Sequence, residues 1–344
     1  MSTGPQRVRV VEVVRETADA HSLVLEPEDP ASFPLDYRPG QFLTVRVPSE
    51  REGGAARCYS LSSSPHCAER LKVTVKRTVG GYGSNWLCDN AAEGSVLDVL
   101  RPSGTFCPRS LDEDLLLLAG GSGITPVMSI LKSVLTAGAG AVTLVYANRD
   151  ESSVIFRDEL VTLTKEHPDR LTVVHWLESV QGLPTAAGLR ALTAPYTGRE
   201  VFICGPGPFM DLAVTTLAEA GVPGDRLHVE RFTSLTGDPF AEVVQAELPT
   251  EGPVTTVDVE LDGERSTVSW PTGVKLLDAL RAAGLDAPFS CREGACSACA
   301  CVVLEGEVTL ERNEVLDKND LADGLILACQ ALPVSDRLSI TYEG

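Results

Sequence analysis

The chain has 344 residues, enough for two or three domains, and its 43% hydrophobic and 22% charged content is ordinary for folded protein. A formal net charge of −19 argues against nucleic acid and against anionic membrane as partners. The apolar run at residues 115–119 is far too short to span a bilayer, and residues 1–15 carry no apolar signal region, so a cytoplasmic protein is expected.

Residues 7–14, 22–25, 41–47 and 71–77 read as short strands separated by turns rich in Pro and Gly. Many short strands with few helical windows predict an antiparallel β-barrel over residues 1–108. The pattern then switches. Residues 114–119 form a continuous apolar strand that runs into Gly120-Gly121-Ser122-Gly123-Ile124-Thr125-Pro126 and a helical window over 127–135. Strands at 141–146, 171–176 and 200–204 alternate with helices at 156–165 and 208–220. This alternation predicts a doubly wound parallel sheet over 109–232. Residues 233–253 hold Gly, Pro, Asp and Glu without a sustained period and read as a linker. Strands at 255–261, 265–270 and 338–342, with a helix at 275–283, predict a small α+β domain over 254–344.

That last domain carries the most specific signal in the chain. Cys291, Cys296 and Cys299 follow the spacing C-x4-C-x2-C, and Cys329 comes thirty positions after Cys299. Four thiolates so spaced match the plant-type [2Fe–2S] ligand pattern. Gly294, Ala295, Ser297 and Ala298 let the backbone fold tightly and aim N–H groups at cluster sulfurs. A structural zinc site would need paired CxxC motifs or a Cys/His set, and a disulfide would need an oxidising compartment. Cys301 reads as a small packed side chain beside the ligand loop. A one-electron centre requires a source and a sink for electrons. Residues 254–344 hold 16 acidic and 7 basic residues, net −9, a surface suited to steering toward a basic patch on a redox partner.

The glycine run at 120–125 follows a strand and opens a helix, which suits a pyrophosphate, although a plain tight turn has the same signature. Arg57-Cys58-Tyr59-Ser60 combines a forked phosphate donor, a flat face and a hydroxyl suited to a flavin. Gly80-Gly81-Tyr82-Gly83-Ser84 precedes a second helical window, another anion site of the same kind. Each also fits an ordinary turn. Cys204-Gly205-Pro206 lies at the C-terminal end of a parallel strand, where open α/β sheets bind ligands; Cys204 alone fits a buried core cysteine equally well. Glu230 fits either a proton relay near a flavin or a surface carboxylate. The five histidines are scattered, so no Rieske, zinc or non-haem iron site is expected on this chain. No Ser nucleophile elbow is present, and any oxygen chemistry is expected on another protein.

Taken together, these motifs resemble the ferredoxin–NADP reductase superfamily, in the type with a plant-type ferredoxin domain fused at the C-terminus. The resemblance covers essentially the whole chain. It implies FAD in the barrel, with Arg57, Tyr59 and Ser60 on the flavin and Gly83 and Ser84 at its pyrophosphate. It implies the nicotinamide cofactor at Gly120, Gly121, Gly123 and Thr125 and at Gly205 and Pro206. Lys76, Arg149 and Phe232 are further implied cofactor contacts. A catalytic set of Ser60, Cys204 and Glu230 is implied, as is a β-grasp-like ferredoxin domain ligating its cluster through Cys291, Cys296, Cys299 and Cys329. Cys58 lies where the family varies widely and Cys301 where a small residue is common. The implied route runs from NADH to FAD to the [2Fe–2S] cluster and on to a separate terminal oxygenase, a Rieske non-haem iron protein acting on a steroid ring. The reductases of phenylacetyl-CoA epoxidases are the alternative within the family, and a redox carrier or sensor without reductase turnover is the alternative outside it.

The choice of nicotinamide is written less clearly. Asn148-Arg149-Asp150 follow the second strand of the α/β region. An acidic side chain there favours NAD, while an Arg can accept the 2′-phosphate of NADP or stack on the adenine. Charge alone does not decide. No second basic residue follows until Arg157, the chain is acidic overall, and the resemblance points to NADH, which is the expected cofactor.

Overall fold

In the computed structural model, residues 5–30, 37–49, 55–240, 252–316 and 318–343 are described. The N-terminal strands are β1 (Gln6–Arg15), β2 (Ala20–Pro27), β3 (Phe42–Val47), β4 (Ala55–Ser60), β5 (Leu71–Lys76) and β6 (Val96–Val99). They pair antiparallel in the order β4-β3-β6-β1-β2-β5. A bridge from Leu61 to Val73 joins the end of β4 to β5 and nearly closes the barrel. Alternation decides which side chains fill it: in β1, Val8 and Val10 point inward while Arg7 and Arg9 face solvent. Helix α1 (Tyr82–Asn90) caps the barrel with Leu87 and Cys88 turned in.

The middle region is a parallel sheet of β7 (Leu115–Gly120), β8 (Val142–Asn148), β9 (Leu171–Leu177), β10 (Glu200–Cys204) and β11 (Leu227–Glu230), in the order β11-β10-β7-β8-β9. Its helices are α2 (Ile124–Ala137), α3 (Arg157–Glu166), α4 (Glu178–Gln181), α5 (Ala186–Thr193) and α6 (Gly207–Glu219). The leucine run of β7 explains the layering. Leu115 and Leu117 pack into the cluster under α2, Leu116 and Leu118 into the cluster under α5 and α6, and all four are fully buried. Each such leucine contributes about 2 kcal/mol of burial, which a strand open on one face would lose at alternate positions. The order turns back at β7: β8 and β9 lie on one side of it, β10 and β11 on the other. The crevice between the C-terminal ends of β7 and β10 is therefore the switch point where such sheets take ligands.

The C-terminal region contains β12 (Val254–Leu261), β13 (Glu264–Pro271), α7 (Leu276–Ala282), β14 (Ala300–Glu305), β15 (Val308–Leu310), α8 (Lys318–Ala322), β16 (Leu325–Leu327), β17 (Ala331–Pro333) and β18 (Arg337–Thr341). The mixed sheet β13-β12-β18-β14-β16 curls over α7, and β15 pairs with β17. Trp270 fills the centre, fully buried, its indole N–H donating to the Val274 carbonyl at 2.8 Å.

The first part of the segment read as linker is not free of the fold. Leu235 and Phe240 are buried against the barrel, where the Arg46 guanidinium stacks over the Phe240 ring at 4.5 Å. The rest of that segment, 241–251, lies outside the described residues. Among the described residues no helix is long and apolar enough to cross a membrane.

Candidate functional site

At the switch point the backbone is packed to the limit. A Cβ on Gly123 would sit 2.1 Å from the Cys204 carbonyl oxygen, and one on Gly120 would sit 2.8 Å from the Pro206 ring. Gly121 adopts a positive φ of 52° to turn the chain from β7 into α2. The two expected nucleotide loops, 120–125 and 204–206, therefore meet directly, and only glycine allows it. Thr125 is buried in the first turn of α2, its hydroxyl donating to the Ser122 carbonyl at 3.1 Å.

Lys76 reaches the same turn from the barrel: its Nζ lies 3.5 Å from where a Gly121 Cβ would be. Burial lowers its pKa, and the Arg149 guanidinium adds to that against the pull of Asp19 and Asp150. Arg149, just past β8, pairs with Asp19 of the barrel at 3.0 Å. A second cation therefore does stand close to Arg149, but it comes from the barrel rather than from the residues that follow in sequence. Asp150, the acidic candidate beside Arg149, spends its carboxylate on a cap, accepting from the Ser153 N–H at 3.0 Å and the Ser152 hydroxyl at 2.7 Å.

One strand further along, Cys204 and Glu230 are paired neighbours on β10 and β11. Cys204 is fully buried, and burial pushes its thiol well above the ordinary range. Glu230 is only half-buried as a residue, but its carboxyl is withdrawn from water, and this pushes it up to about 8. Ser60, at the end of β4, lines the same narrow crevice as Glu230, with Cys58, Phe42 and Phe232. The structure thus brings Ser60 and Glu230 into one crevice, with Cys204 buried beside Glu230 on the next strand. Tyr59, on the neighbouring position of β4, is largely buried, and burial raises its phenol.

Arg57 lies across the start of α1. Its Cγ is 2.7 Å from where a Cβ on Gly83 would be, so Gly83 leaves room for the arginine stem. The guanidinium donates to the Leu235 carbonyl at 3.2 Å, tying β4 to the segment after β11. The Ser84 hydroxyl accepts from the Thr78 N–H at 3.1 Å and fixes the loop ahead of α1.

The far wall of the Ser60–Glu230 crevice is made by Ala295 and Cys296 of the cysteine loop. Three of the four expected cluster thiols, Cys291, Cys296 and Cys299, lie in that loop, and Cys329 joins them from just past β16. The N–H groups of Glu293 and Ala295 both donate to Cys291 Sγ at 3.4 Å, the Cys291 N–H to Cys296 Sγ at 3.3 Å, and the Cys329 N–H to Cys299 Sγ at 3.4 Å. Hydrogen bonds from the Cys296 and Cys329 thiols push the Cys291 thiol well below its ordinary range. The Gln330 amide donates to Cys329 Sγ at 3.6 Å. Clustered thiols, N–H groups aimed at sulfur and small intervening residues fit a [2Fe–2S] cluster. Cys301 is buried on β14, and burial raises its thiol, as expected of a packed side chain.

Sequence reasoning does not find the contacts that dock this loop. Thr44 Oγ1 bonds Ser290 Oγ, and the Thr233 hydroxyl donates to the Ala295 carbonyl at 2.5 Å. Glu293 accepts from the Thr236 N–H at 2.8 Å, the Gly237 N–H at 3.2 Å and the Thr236 hydroxyl. The Thr105 N–H donates to Ser297 Oγ at 3.3 Å. Phe42, Leu100, Leu235 and Phe240 form an apolar centre with Cys291, Ala295, Cys296 and Ala298.

Comparison with known proteins bears on this arrangement. An oxidoreductase FAD-binding domain matches residues 7–107, an oxidoreductase NAD-binding domain residues 117–215, and a 2Fe-2S iron-sulfur cluster binding domain residues 259–334. The chain is 59% identical to the 3-ketosteroid-9-alpha-monooxygenase ferredoxin reductase component of Mycolicibacterium smegmatis, over 98% of this chain and 96% of that protein. It is 58% identical to the same component from Mycobacterium tuberculosis, over 98% and 95%. Identity to a component of the 1,2-phenylacetyl-CoA epoxidase of Escherichia coli is 33%, over 97% and 96%. Among solved structures it resembles phthalate dioxygenase reductase, a modular structure for electron transfer from pyridine nucleotides to [2Fe-2S], with a TM-score of 0.59 and 26% identity over 98% of both chains. FAD, NAD and [2Fe–2S] are thereby assigned to the three domains in chain order.

Proposed function

The chain belongs to the family of 3-ketosteroid-9-alpha-monooxygenase ferredoxin reductase components, and from that premise we propose that it takes electrons from NADH through FAD and a [2Fe–2S] cluster to a separate Rieske-type terminal oxygenase acting on a steroid ring. The identity of 59% to a steroid monooxygenase component against 33% to an epoxidase component ranks the steroid reading first. The proposed domains are 1–108 for FAD, 109–232 for NAD and 254–344 for the cluster, with 233–253 between them. None of the ten cysteines is paired in a disulfide, which suits the cytoplasm.

In this reading Gly83 and Ser84, at the start of α1, hold the FAD pyrophosphate, and Arg57 lies on the flavin. Tyr59 and Ser60 meet the flavin, and Phe232 covers it from the end of β11. Gly120, Gly121, Gly123, Thr125, Gly205 and Pro206 form the nicotinamide-nucleotide seat, with Lys76 and Arg149 at its mouth. Glu230 brings a carboxyl that is neutral below about pH 8 to the crevice, with the buried Cys204 thiol beside it on β10. Cys291, Cys296, Cys299 and Cys329 ligate the cluster. When bound, FAD converts the two-electron hydride into the single electrons that a [2Fe–2S] cluster accepts.

The observation that carries this proposal is the shared crevice: Ser60 and Glu230 on one side, Cys296 on the other. Electrons arriving at the first wall need no free carrier to reach the second. The test is Cys296→Ser. It is expected to lose cluster absorbance and oxygenase support while NADH–ferricyanide turnover stays within about threefold of wild type, because hydride transfer lies in the other two domains. Cys301→Ser is expected to retain the cluster. A wild-type protein that binds FAD yet fails to reduce ferricyanide with NADH or NADPH would defeat the proposal.

A further inference from the structure

The ion pair between Asp19 and Arg149 has no part in the electron route just described, yet it stands at the mouth of the nucleotide crevice. Arg149 follows β8, the strand beside β7, where doubly wound sheets meet the ribose 2′ position of a dinucleotide. Its backbone is fixed: the carbonyl accepts from the Ser179 N–H at 2.8 Å. Its guanidinium donates to Asp19 Oδ2 at 3.0 Å, across 130 positions of sequence. Asp19 is held just as firmly. The Thr17 hydroxyl donates to Asp19 Oδ1 at 2.8 Å, and the Asp19 carbonyl accepts from the Arg77 N–H at 2.7 Å. Each carboxylate oxygen thus has its own partner. The side chain of Asp19 is 29% exposed and that of Arg149 65%, so the pair faces the solvent from which a nucleotide arrives.

We infer that Asp19 determines cofactor choice, by occupying with its carboxylate the guanidinium of Arg149 that a 2′-phosphate would otherwise claim. The inference rests on the reading of the switch-point crevice as the nicotinamide-nucleotide seat. Arg149 by itself would favour NADPH, since a planar guanidinium suits a phosphate. With a resident carboxylate bound to it, the incoming 2′-phosphate meets an anion at close range and an arginine whose charge is already balanced. A ribose 2′-hydroxyl carries no charge and meets neither obstacle. Lys76, beside the Gly121 turn, belongs to the same group of charges and adds a second cation that becomes available to a phosphate once Asp19 is neutral.

The test is Asp19→Asn, which keeps the shape and the acceptor for Thr17 and removes only the charge, with Asp19→Ala as a second variant that does not depend on the amide. Two readouts are taken on the FAD-loaded protein: calorimetric affinity for 2′,5′-ADP, which involves no turnover, and the ratio of kcat/KM for NADPH to that for NADH with ferricyanide as acceptor. Both are expected to rise about tenfold, the scale that one unit charge exerts on a doubly charged phosphate at a half-exposed site, and to shrink at high salt. Arg149→Ala placed on Asp19→Asn is expected to cancel the gain. A change below twofold in both readouts for both variants overturns the inference, as does a gain that survives loss of Arg149. Failure of the electron-transfer reading would show differently, as a wild-type protein that reduces ferricyanide with neither nucleotide.

Discussion

Gly123→Ala is the most economical probe of the nucleotide seat, because it adds one methyl group and no charge. The methyl carbon would lie 2.1 Å from the Cys204 oxygen, 2.3 Å from its carbonyl carbon and 2.6 Å from the Gly205 nitrogen. All three are backbone atoms, so no side chain can swing aside. Ordinary contact begins near 3.4 Å, and one of the two loops must retreat by about 1 Å. The loops concerned together form the proposed nicotinamide-nucleotide seat, and a misplacement of that size costs on the order of 100-fold in a transfer that depends on close approach. Overpacking adds about 1–3 kcal/mol of destabilisation, which a protein of this size tolerates. The assay is steady-state and stopped-flow reduction by NADH, with flavin and cluster absorbance as controls for occupancy. Gly198→Ala serves as the neutral comparison, since a Cβ there meets nothing within 4 Å. If Gly123→Ala kept kcat/KM within threefold of wild type at unchanged thermal stability, the idea that the two loops form the cofactor seat would be refuted.

Two further outcomes follow from other parts of the site. Burial holds the Glu230 carboxyl at about 8, so it is neutral below that pH, while above it an anion faces the buried thiols of Cys204 and Cys58. The NADH-dependent rate is expected to fall as pH rises through about 8, and Glu230→Gln to flatten that limb. The sign for stability agrees: the folded state keeps a proton that the unfolded chain releases near 4.5, so stability declines between about 4.5 and about 8, and the Gln variant removes the slope in a denaturation series. Glu293→Ala strips three acceptor contacts from the docked loop and is expected to slow flavin-to-cluster transfer about three- to tenfold in rapid-mixing measurements. NADH–ferricyanide turnover should remain within twofold, and an unchanged transfer rate would show that these contacts do not set the geometry.

What the sequence makes legible is chemistry that is local along the chain. The cysteine spacing, the 120–125 turn and the leucines of β7 each lie within a short window, and their geometry follows from that window. Three features are not legible for identifiable reasons. β4 is a strand whose Arg57, Cys58 and Tyr59 are all half-buried at the crevice, so the alternation that marks a strand is broken by its function. α5 is eight residues long and contains Gly188, which packs so closely on Trp176 that a Cβ would sit 2.4 Å from the ring. Residues 233–240 read as linker because their buried groups, Leu235 and Phe240, find partners on another domain and show no period of their own. Contacts such as Thr44 with Ser290, 246 positions apart, leave no pattern along the sequence. The cofactor question fails for the same reason: Asp19 and Arg149 are separated by 130 positions, and only the fold brings the carboxylate to the arginine.

The docked cysteine loop also changes how the acidic surface is to be understood. A free ferredoxin needs charge steering to find its reductase, but a tethered domain faces its partner at an effective concentration on the order of millimolar, without any complementary field. The interface is consistent with this. Apart from the bonds that Glu293 accepts from Thr236 and Gly237, it joins the domains through neutral contacts, such as Thr44 with Ser290 and Thr105 with Ser297, around an apolar centre, and an ion pair that crosses from the barrel, Arg101 with Asp286, is long at 3.5 Å. Apart from Glu293 and Asp286, little of the acidic charge behind the net −9 over residues 254–344 is therefore used to hold this domain in place. Cys291 and Cys296 face the barrel side, whereas Cys329 lines a separate open concavity with Lys275, Arg292, Arg312 and Gln330. Charge that has no work inside the chain remains available to orient an outside acceptor, and the concavity beside Cys329 gives that acceptor a face of its own. Encounter with the oxygenase should accordingly weaken with salt while the internal transfer does not, because only the first step brings two charged surfaces together from solution.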